Sequence, residues 1–132
     1  MSYLLDTHVF LWVLFASNRL SKNSREVLLG ESNDVYVSII SFWEISLKYS
    51  LGKLSLKGVS PADLPALAAE SGFDVMDIDA ATVSTFHELP ASLHRDPFDR
   101  LLIWQAIKRD CTVLSKDREF ARYGEFGLRY IW

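Results

Sequence analysis

Four acidic side chains stand where chemistry could be done: Asp6, Glu44, Asp99 and Asp117. Asp6 ends the apolar run Tyr3-Leu4-Leu5, Asp117 follows Thr112-Val113-Leu114-Ser115, and Glu44 lies on a helical stretch after a second β-branched run. Asp99 sits in the first turn of a helix opened by Asp96-Pro97. Each acid has an ordinary explanation. Glu44 stands four residues before Lys48, an ion-pair spacing on a helix. Asp96 and Asp99 resemble a capping arrangement, and Asp117 could cap its own helix or pair with Arg118. Their convergence is what points to chemistry, because in open parallel sheets the functional crevice lies beyond the carboxyl ends of the strands. Carboxylates gathered there repel one another by roughly several kcal/mol per pair at an effective dielectric of about 20, so the set calls for a cation. Hard oxygen donors with no Cys or His cluster select Mg²⁺ or Mn²⁺ over zinc.

The elements that must position these acids are legible. Tyr3–Leu5 reads as a strand feeding a helix that carries Val9, Phe10, Trp12, Val13 and Leu14. Ser21 and Ser24 offer N-caps for a helix over about 22–29 that Gly30 closes. Val35-Tyr36-Val37-Ser38-Ile39 reads as a second strand, and a helix follows over 41–51. Ser60-Pro61 opens a helix that stops at Gly72, residues 73–78 alternate as a half-exposed strand, and 80–88 is helical until Pro90. The helix from Pro97 to about Arg109 is apolar around its circumference and therefore central. A strand over Thr112–Ser115, a helical turn over Asp117–Tyr123 and a strand near Leu128–Ile131 complete the chain. Strands separated by helices, with no tight Asn-Gly or Asp-Gly hairpin, require crossovers. They imply an α/β fold with a mainly parallel central sheet.

At 132 residues and 49% hydrophobic, the chain forms a single domain spanning 1–132. No run approaches the length of a membrane span and no basic, apolar leader opens the sequence, so a soluble cytoplasmic protein that does not bind membranes is expected. Cys111 stands alone and reads as a small buried hydrophobe. The net charge of −3 conceals a gradient: residues 1–92 carry 6 basic and 11 acidic side chains, residues 93–132 carry 8 basic and 6 acidic. Asp63 to Glu88 holds six carboxylates and no Lys or Arg, a face that repels phosphate. A polyanion must approach elsewhere, near Arg95, Arg100, Lys116 and Arg118, with Lys48 and Lys53 as further candidates.

Four stretches together resemble the PIN-domain ribonucleases, and among them the VapC toxins of bacterial toxin–antitoxin pairs. They are Tyr-Leu-Leu-Asp-Thr-His at 3–8, Ser-Phe-Trp-Glu-Ile-Ser-Leu-Lys at 41–48 with Gly-Lys-Leu at 52–54, His-Arg-Asp-Pro-Phe-Asp-Arg-Leu-Leu-Ile at 94–103, and Leu-Ser-Lys-Asp at 114–117. The resemblance implies a PIN-like domain and metal ligation by Asp6, Glu44, Asp99 and Asp117. It leaves Asp96 open beside Asp99. It also gives Ser115, with Thr7, a supporting role in orienting water or a carboxylate. The implied reaction is hydrolysis of RNA to 5′-phosphate and 3′-hydroxyl ends with Mg²⁺ or Mn²⁺. The implied partners are the RNA substrate, a cognate antitoxin and a second copy of the chain in a homodimer. Arg95, Arg100, Lys116, Arg118 and Lys48 are then candidates for contacting RNA. His8 and His94 fit positioning or surface roles better than direct catalysis. Trp12, Trp43 and Trp104 fit the core or a dimer interface better than base stacking.

Two other readings compete. A phosphotransfer or phosphatase α/β domain also places Asp after the first strand, but Asp6-Thr7-His8 lacks a second acid two residues on, and the six glycines form no phosphate-cradling loop. A non-catalytic PIN-like module that binds only RNA or protein is the other; presence of all four acids argues against it.

Overall fold

The computed structural model describes residues 1–91 and 96–132, so His94 and Arg95 lie outside the described residues. The elements are β1 (Ser2–Leu5), α1 (Thr7–Phe15), α2 (Lys22–Leu29), β2 (Asp34–Ser38), α3 (Ile39–Ser50), α4 (Leu64–Glu70), β3 (Asp74–Met76), α5 (Ala80–Ser84), α6 (Pro97–Arg109), β4 (Thr112–Leu114) and β5 (Arg129–Ile131). Five strands form one sheet in the order β3-β2-β1-β4-β5. Every pairing is parallel, which sharpens the expectation of a mainly parallel sheet. The chain moves from β1 outward through β2 to β3, then crosses to the other side for β4 and β5. The reversal of strand order beside β1 opens a crevice at its carboxyl end.

Strand alternation divides the core between the two sheet faces. Leu5 packs with Val9, Phe10, Val37 and Ile45 on one side. Leu4 packs with Leu102, Ile103, Val113 and Phe120 on the other. As expected, α6 is central: Leu102, Ile103, Trp104, Gln105 and Ala106 are all buried. Trp104 is also pinned through Nε1, which donates to the Thr82 carbonyl oxygen at 3.0 Å. Cys111 is buried, and burial raises its thiol pKa.

Several elements differ from the periodicity: Ile39 opens α3 instead of ending β2, and the helix expected from Ser60-Pro61 begins with a 3₁₀ turn, Pro61–Asp63, before α4. The helix expected over 80–88 stops at Ser84 and tightens into a 3₁₀ turn at Phe86–Glu88. There the Thr85 hydroxyl bonds back to the Ala81 carbonyl at 2.7 Å and receives Trp104 Nε1 at 3.2 Å; such back-bonding bends helices. The turn expected at 117–123 is a 3₁₀ segment, Arg118–Phe126, ended by Gly127 with φ of 99°. Among the described residues no helix is long and apolar enough to cross a membrane.

Candidate active site

Asp6 leaves the central strand at its carboxyl end and becomes the N-cap of α1. Its backbone N–H donates to the Leu114 carbonyl oxygen at 3.0 Å, tying it to β4. One carboxylate oxygen accepts from the His8 backbone N–H at 3.0 Å, and the other accepts from the Ser115 hydroxyl at 2.6 Å. Ser115 is fully buried and its oxygen also accepts from the Asp117 backbone N–H at 3.0 Å. One hydroxyl therefore links Asp6 to the backbone that carries Asp117. The Asp117 carboxylate caps the 3₁₀ segment after β4, accepting from the Glu119 N–H at 2.9 Å.

Thr7 and Ser41, both buried, share a hydroxyl–hydroxyl hydrogen bond of 2.7 Å that joins the start of α1 to the start of α3. This sets α3 so that Glu44, only 3% exposed, comes toward Asp6. Lys48 forms an ion pair with Glu44 one turn along. Burial opposes the Lys48 charge, but the Glu44 carboxylate hydrogen bond and the nearby Asp96 and Asp99 outweigh it and raise its pKa. Asp96 is the N-cap of α6, accepting from the Phe98 and Asp99 N–H groups at 2.8 and 3.2 Å, with Pro97 next in line.

Asp99 reports how these groups meet. Burial, then the negative charges of Asp6, Asp96 and Glu44, push its carboxyl up to about 8, against a smaller opposing pull from His8. Asp6, Glu44, Asp96 and Asp99 thus share one field, while Asp117 joins the site through Ser115. The His8 imidazole lies 3.7 Å from the Asp6 carboxylate and its side chain is 67% exposed. The adjacent Asp6 carboxylate raises its pKa, burial opposes the rise as the next-largest influence, and the Glu44 and Asp99 charges add to it.

The donor chemistry suits a hard divalent cation: oxygen only, crowded, and with one member, Asp99, driven by burial and by neighbouring negative charge to hold its proton. Among the described residues, however, no three acidic, His or Cys side chains form a ready-made cage. Rotation of carboxylates such as Asp117 away from its cap would have to complete one.

The cations expected to face a polyanion separate into two groups. Lys116 and Arg118 are exposed on the rim. Lys48 is occupied by Glu44. Arg100 has a partner within the fold: it donates to the Leu89 carbonyl oxygen at 3.1 Å, and its guanidinium lies 4.7 Å from the centre of the Phe86 ring. Of the tryptophans, Trp104 is core, Trp12 is half-buried, and Trp43 is 59% exposed, edge-on to Phe98 at 4.9 Å. Ser41 was not legible as a site residue, because serine at a helix start reads as a capping residue.

An acidic crevice at the switch point of an all-parallel sheet defines an α/β domain with its site at the carboxyl end of the central strand. The PIN-domain family model matches residues 3–126, and the chain belongs to the PIN-domain family. No curated protein compared with the chain matches it. Solved structures share the fold over nearly all of both chains. VapBC2 from Rickettsia felis bound to a promoter DNA fragment is similar at TM-score 0.71 and 19% identity, covering 99% of this chain and 98% of that one. DNA-bound VapBC from Salmonella typhimurium is similar at 0.66 and 22%, covering 99% and 97%. VapBC-1 from nontypeable Haemophilus influenzae is similar at 0.69 and 16%, also covering 99% and 97%.

Proposed function

We propose that the chain is a divalent-metal-dependent endoribonuclease acting as the toxin of a toxin–antitoxin pair, located in the cytoplasm. The observation that carries this reading is the gathering of Asp6, Asp96 and Glu44 around Asp99 at the carboxyl end of the sheet, where burial and then those charges push the Asp99 carboxyl up to about 8. A purely structural cluster would gain nothing from crowding acids that repel one another. Asp6, Glu44, Asp99 and Asp117 would hold the cation, with Asp96 positioning Asp99 through the α6 cap. When bound, Mg²⁺ or Mn²⁺ supplies polarisation of the phosphodiester and lowers the pKa of the attacking water. The chain's own residues do the rest. Asp6 is fixed by Ser115 and by the α1 N-terminus, Thr7 and Ser41 hold α3 at the distance that presents Glu44, and Lys48 balances Glu44 until substrate arrives. The rim cations Lys116 and Arg118 hold flanking phosphates.

The deciding experiment is cleavage of total cellular RNA by the purified chain with Mg²⁺ or Mn²⁺, with ends mapped, beside an Asp6→Asn control. Ends bearing 5′-phosphate and 3′-hydroxyl that vanish in the control support the reading. Metal-independent cleavage, or equal cleavage by both proteins, overturns it. Within the site, Ser115→Ala should lower the rate by roughly 10–100-fold, the range for removing a residue that orients a metal ligand. A Ser115→Ala enzyme as fast as the parent would remove Ser115 from the mechanism.

The partners we infer are a second copy of the chain and an antitoxin whose segment fills the acidic crevice. The homodimer has a surface to use. Trp43 and Leu47 on α3 and Leu51 at its C-cap follow one another at four-residue spacing, 59%, 38% and 58% exposed. Beside them Trp43, Val83, Phe86, Pro97, Phe98 and Leu101 line an apolar cleft. Leu47→Glu is expected to shift the protein from dimer to monomer in light-scattering measurements without loss of helical signal. A dimer unchanged by this substitution places the interface elsewhere, and a monomeric parent removes it.

A further inference from the structure

The acidic crevice has a basic and aromatic shoulder. His8, Trp12, Arg19, Lys116 and Asp117 line an open cleft of about 530 Å³. His8 and Asp117 connect this cleft to the acids. Arg19 reaches it from the 3₁₀ turn Ser17–Arg19 after α1 and lays its guanidinium 4.5 Å from the centre of the Trp12 ring. Trp12 is steadied edge-on by Trp132, 5.6 Å away at 61°. An adjoining cleft of about 380 Å³ is lined by Lys116, Arg118, Tyr130, Ile131 and Trp132. The ion pairs His8–Asp6, Lys48–Glu44, Arg122–Glu119 and Arg129–Asp110 do not use Arg19, Lys116 or Arg118.

A guanidinium held over an indole has lost much of its rotamer freedom before any ligand arrives, and an exposed one has a π-face and N–H donors to offer a ligand. That combination suits a base stacked on the plane with a phosphate at its rim. A phosphate beside the carboxylates would be repelled, so cations on the shoulder are what would keep the chain of phosphates in place. Only an unpaired nucleotide qualifies, because in a duplex each base face is covered by its neighbours.

We propose that Arg19, backed by Trp12, forms with Lys116 a subsite for one unpaired nucleotide of single-stranded RNA flanking the scissile phosphate. The guanidinium face takes the base and Lys116 takes the phosphate. The proposal rests on the nuclease reading and adds to it the residues of this chain that hold the flanking nucleotide.

The test uses the full chain in EDTA, which separates binding from cleavage, and a fluorescein-labelled oligouridylate of about 12 nucleotides, a length that covers a single-strand site. Anisotropy titrations compare the parent with Arg19→Ala, Arg19→Lys and Lys116→Ala. Arg19→Ala is expected to weaken binding about tenfold, within the range for losing one stacked base. Lys116→Ala should weaken it less and reduce the salt slope by about 0.7, one single-strand phosphate contact. Arg19→Lys should keep the salt slope of the parent but not its affinity, because the charge remains and the plane does not. Duplex RNA of the same length should not distinguish Arg19→Ala from the parent beyond the loss of one charge. With Mn²⁺ added, Arg19→Ala should raise KM and leave kcat within about twofold, the pattern of lost uniform binding. Arg19 is exposed, so these substitutions do not touch the core. Equal RNA affinity for Arg19→Ala and the parent overturns the subsite, and so does an Arg19→Ala protein that binds RNA normally but loses a partner protein. A parent that neither binds nor cleaves RNA fails at the earlier step, taking the nuclease reading and the subsite together.

Discussion

Asp6→Asn should cost on the order of 10²–10³ in metal-dependent RNA cleavage, the loss seen when a preorganised charge-stabilising group is removed from an active site. The structure explains why the substitution is clean. Asparagine is as good an N-cap as aspartate, so its side-chain oxygen can go on accepting from the His8 N–H. What changes is the other terminus. An NH₂ group replaces the oxygen that receives the Ser115 hydroxyl, and Ser115 must turn to accept from it while still accepting from Asp117 N–H. The fold keeps its cap while the crevice loses its most buried Asp charge. Cleavage assays beside far-ultraviolet circular dichroism in EDTA separate the two effects, and a folded Asp6→Asn protein that cleaves within about twofold of the parent would place the activity outside this crevice. Glu44→Gln, Asp99→Asn and Asp117→Asn should follow the same pattern. In the Asp-Pro-Phe-Asp stretch, the N-cap bonds of Asp96 lead us to expect Asp96→Asn to be milder than Asp99→Asn; the reverse order would exchange their roles.

Much of this arrangement can be read without coordinates because local rules and the global fold agree. The apolar run of β1 broken by Asp6, the proline one residue after Asp96, and the uniformly apolar α6 each allow few structures, and together they demand parallel strands with helical crossovers. The bland explanations are realised as well: Glu44 does pair with Lys48, Asp117 does cap its own segment, and Asp96 does cap α6. Those contacts and a shared crevice are compatible, which is why sequence spacing alone could not choose between them. Less legible were features set by tertiary contact. An arginine in an apolar neighbourhood gives no sign of direction, and Arg100 turns to the Leu89 carbonyl and Phe86 ring while Arg19 turns out onto Trp12. Helical periodicity likewise marks Trp43 as one of an apolar series but does not say whether its cover is this chain or another. The order in which strands lie is also silent in a sequence of short strands with similar composition, and with it the placement of β1 at the centre.

The metal-free protein should lose stability as pH rises from about 4 to 8, and divalent cation should restore it. In the unfolded chain Asp99 ionises near the usual carboxylate range, whereas in the fold burial and the charges of Asp6, Asp96 and Glu44 hold its proton to about 8. Between those values the folded state binds one more proton than the unfolded state, so unfolding free energy falls with rising pH. The penalty is absent below the unfolded pKa and complete above about 8. His8 acts in the same direction, because its raised pKa gives stability that is present at low pH and is lost as the imidazole deprotonates. Lys48, also raised, remains charged throughout this window. With relaxation of the partly exposed crevice, the Asp99 contribution is on the order of ~2–3 kcal/mol, about half of what four pKa units would give. Asp99→Asn removes that share and should therefore melt higher than the parent in EDTA at pH 8, with a flatter dependence on pH. Metal that binds only the native state adds about 2.7 kcal/mol at a hundredfold excess over its dissociation constant, or roughly 10 °C for a domain of this size. The parent should gain this from Mn²⁺ and Asp99→Asn should gain much less. Thermal scans of both proteins at pH 5.5 and 8, with EDTA or Mn²⁺, give the comparison. Equal melting temperatures for parent and variant in EDTA at pH 8 would mean that the carboxylates do not share a field, and an equal response to Mn²⁺ would move the metal away from Asp99.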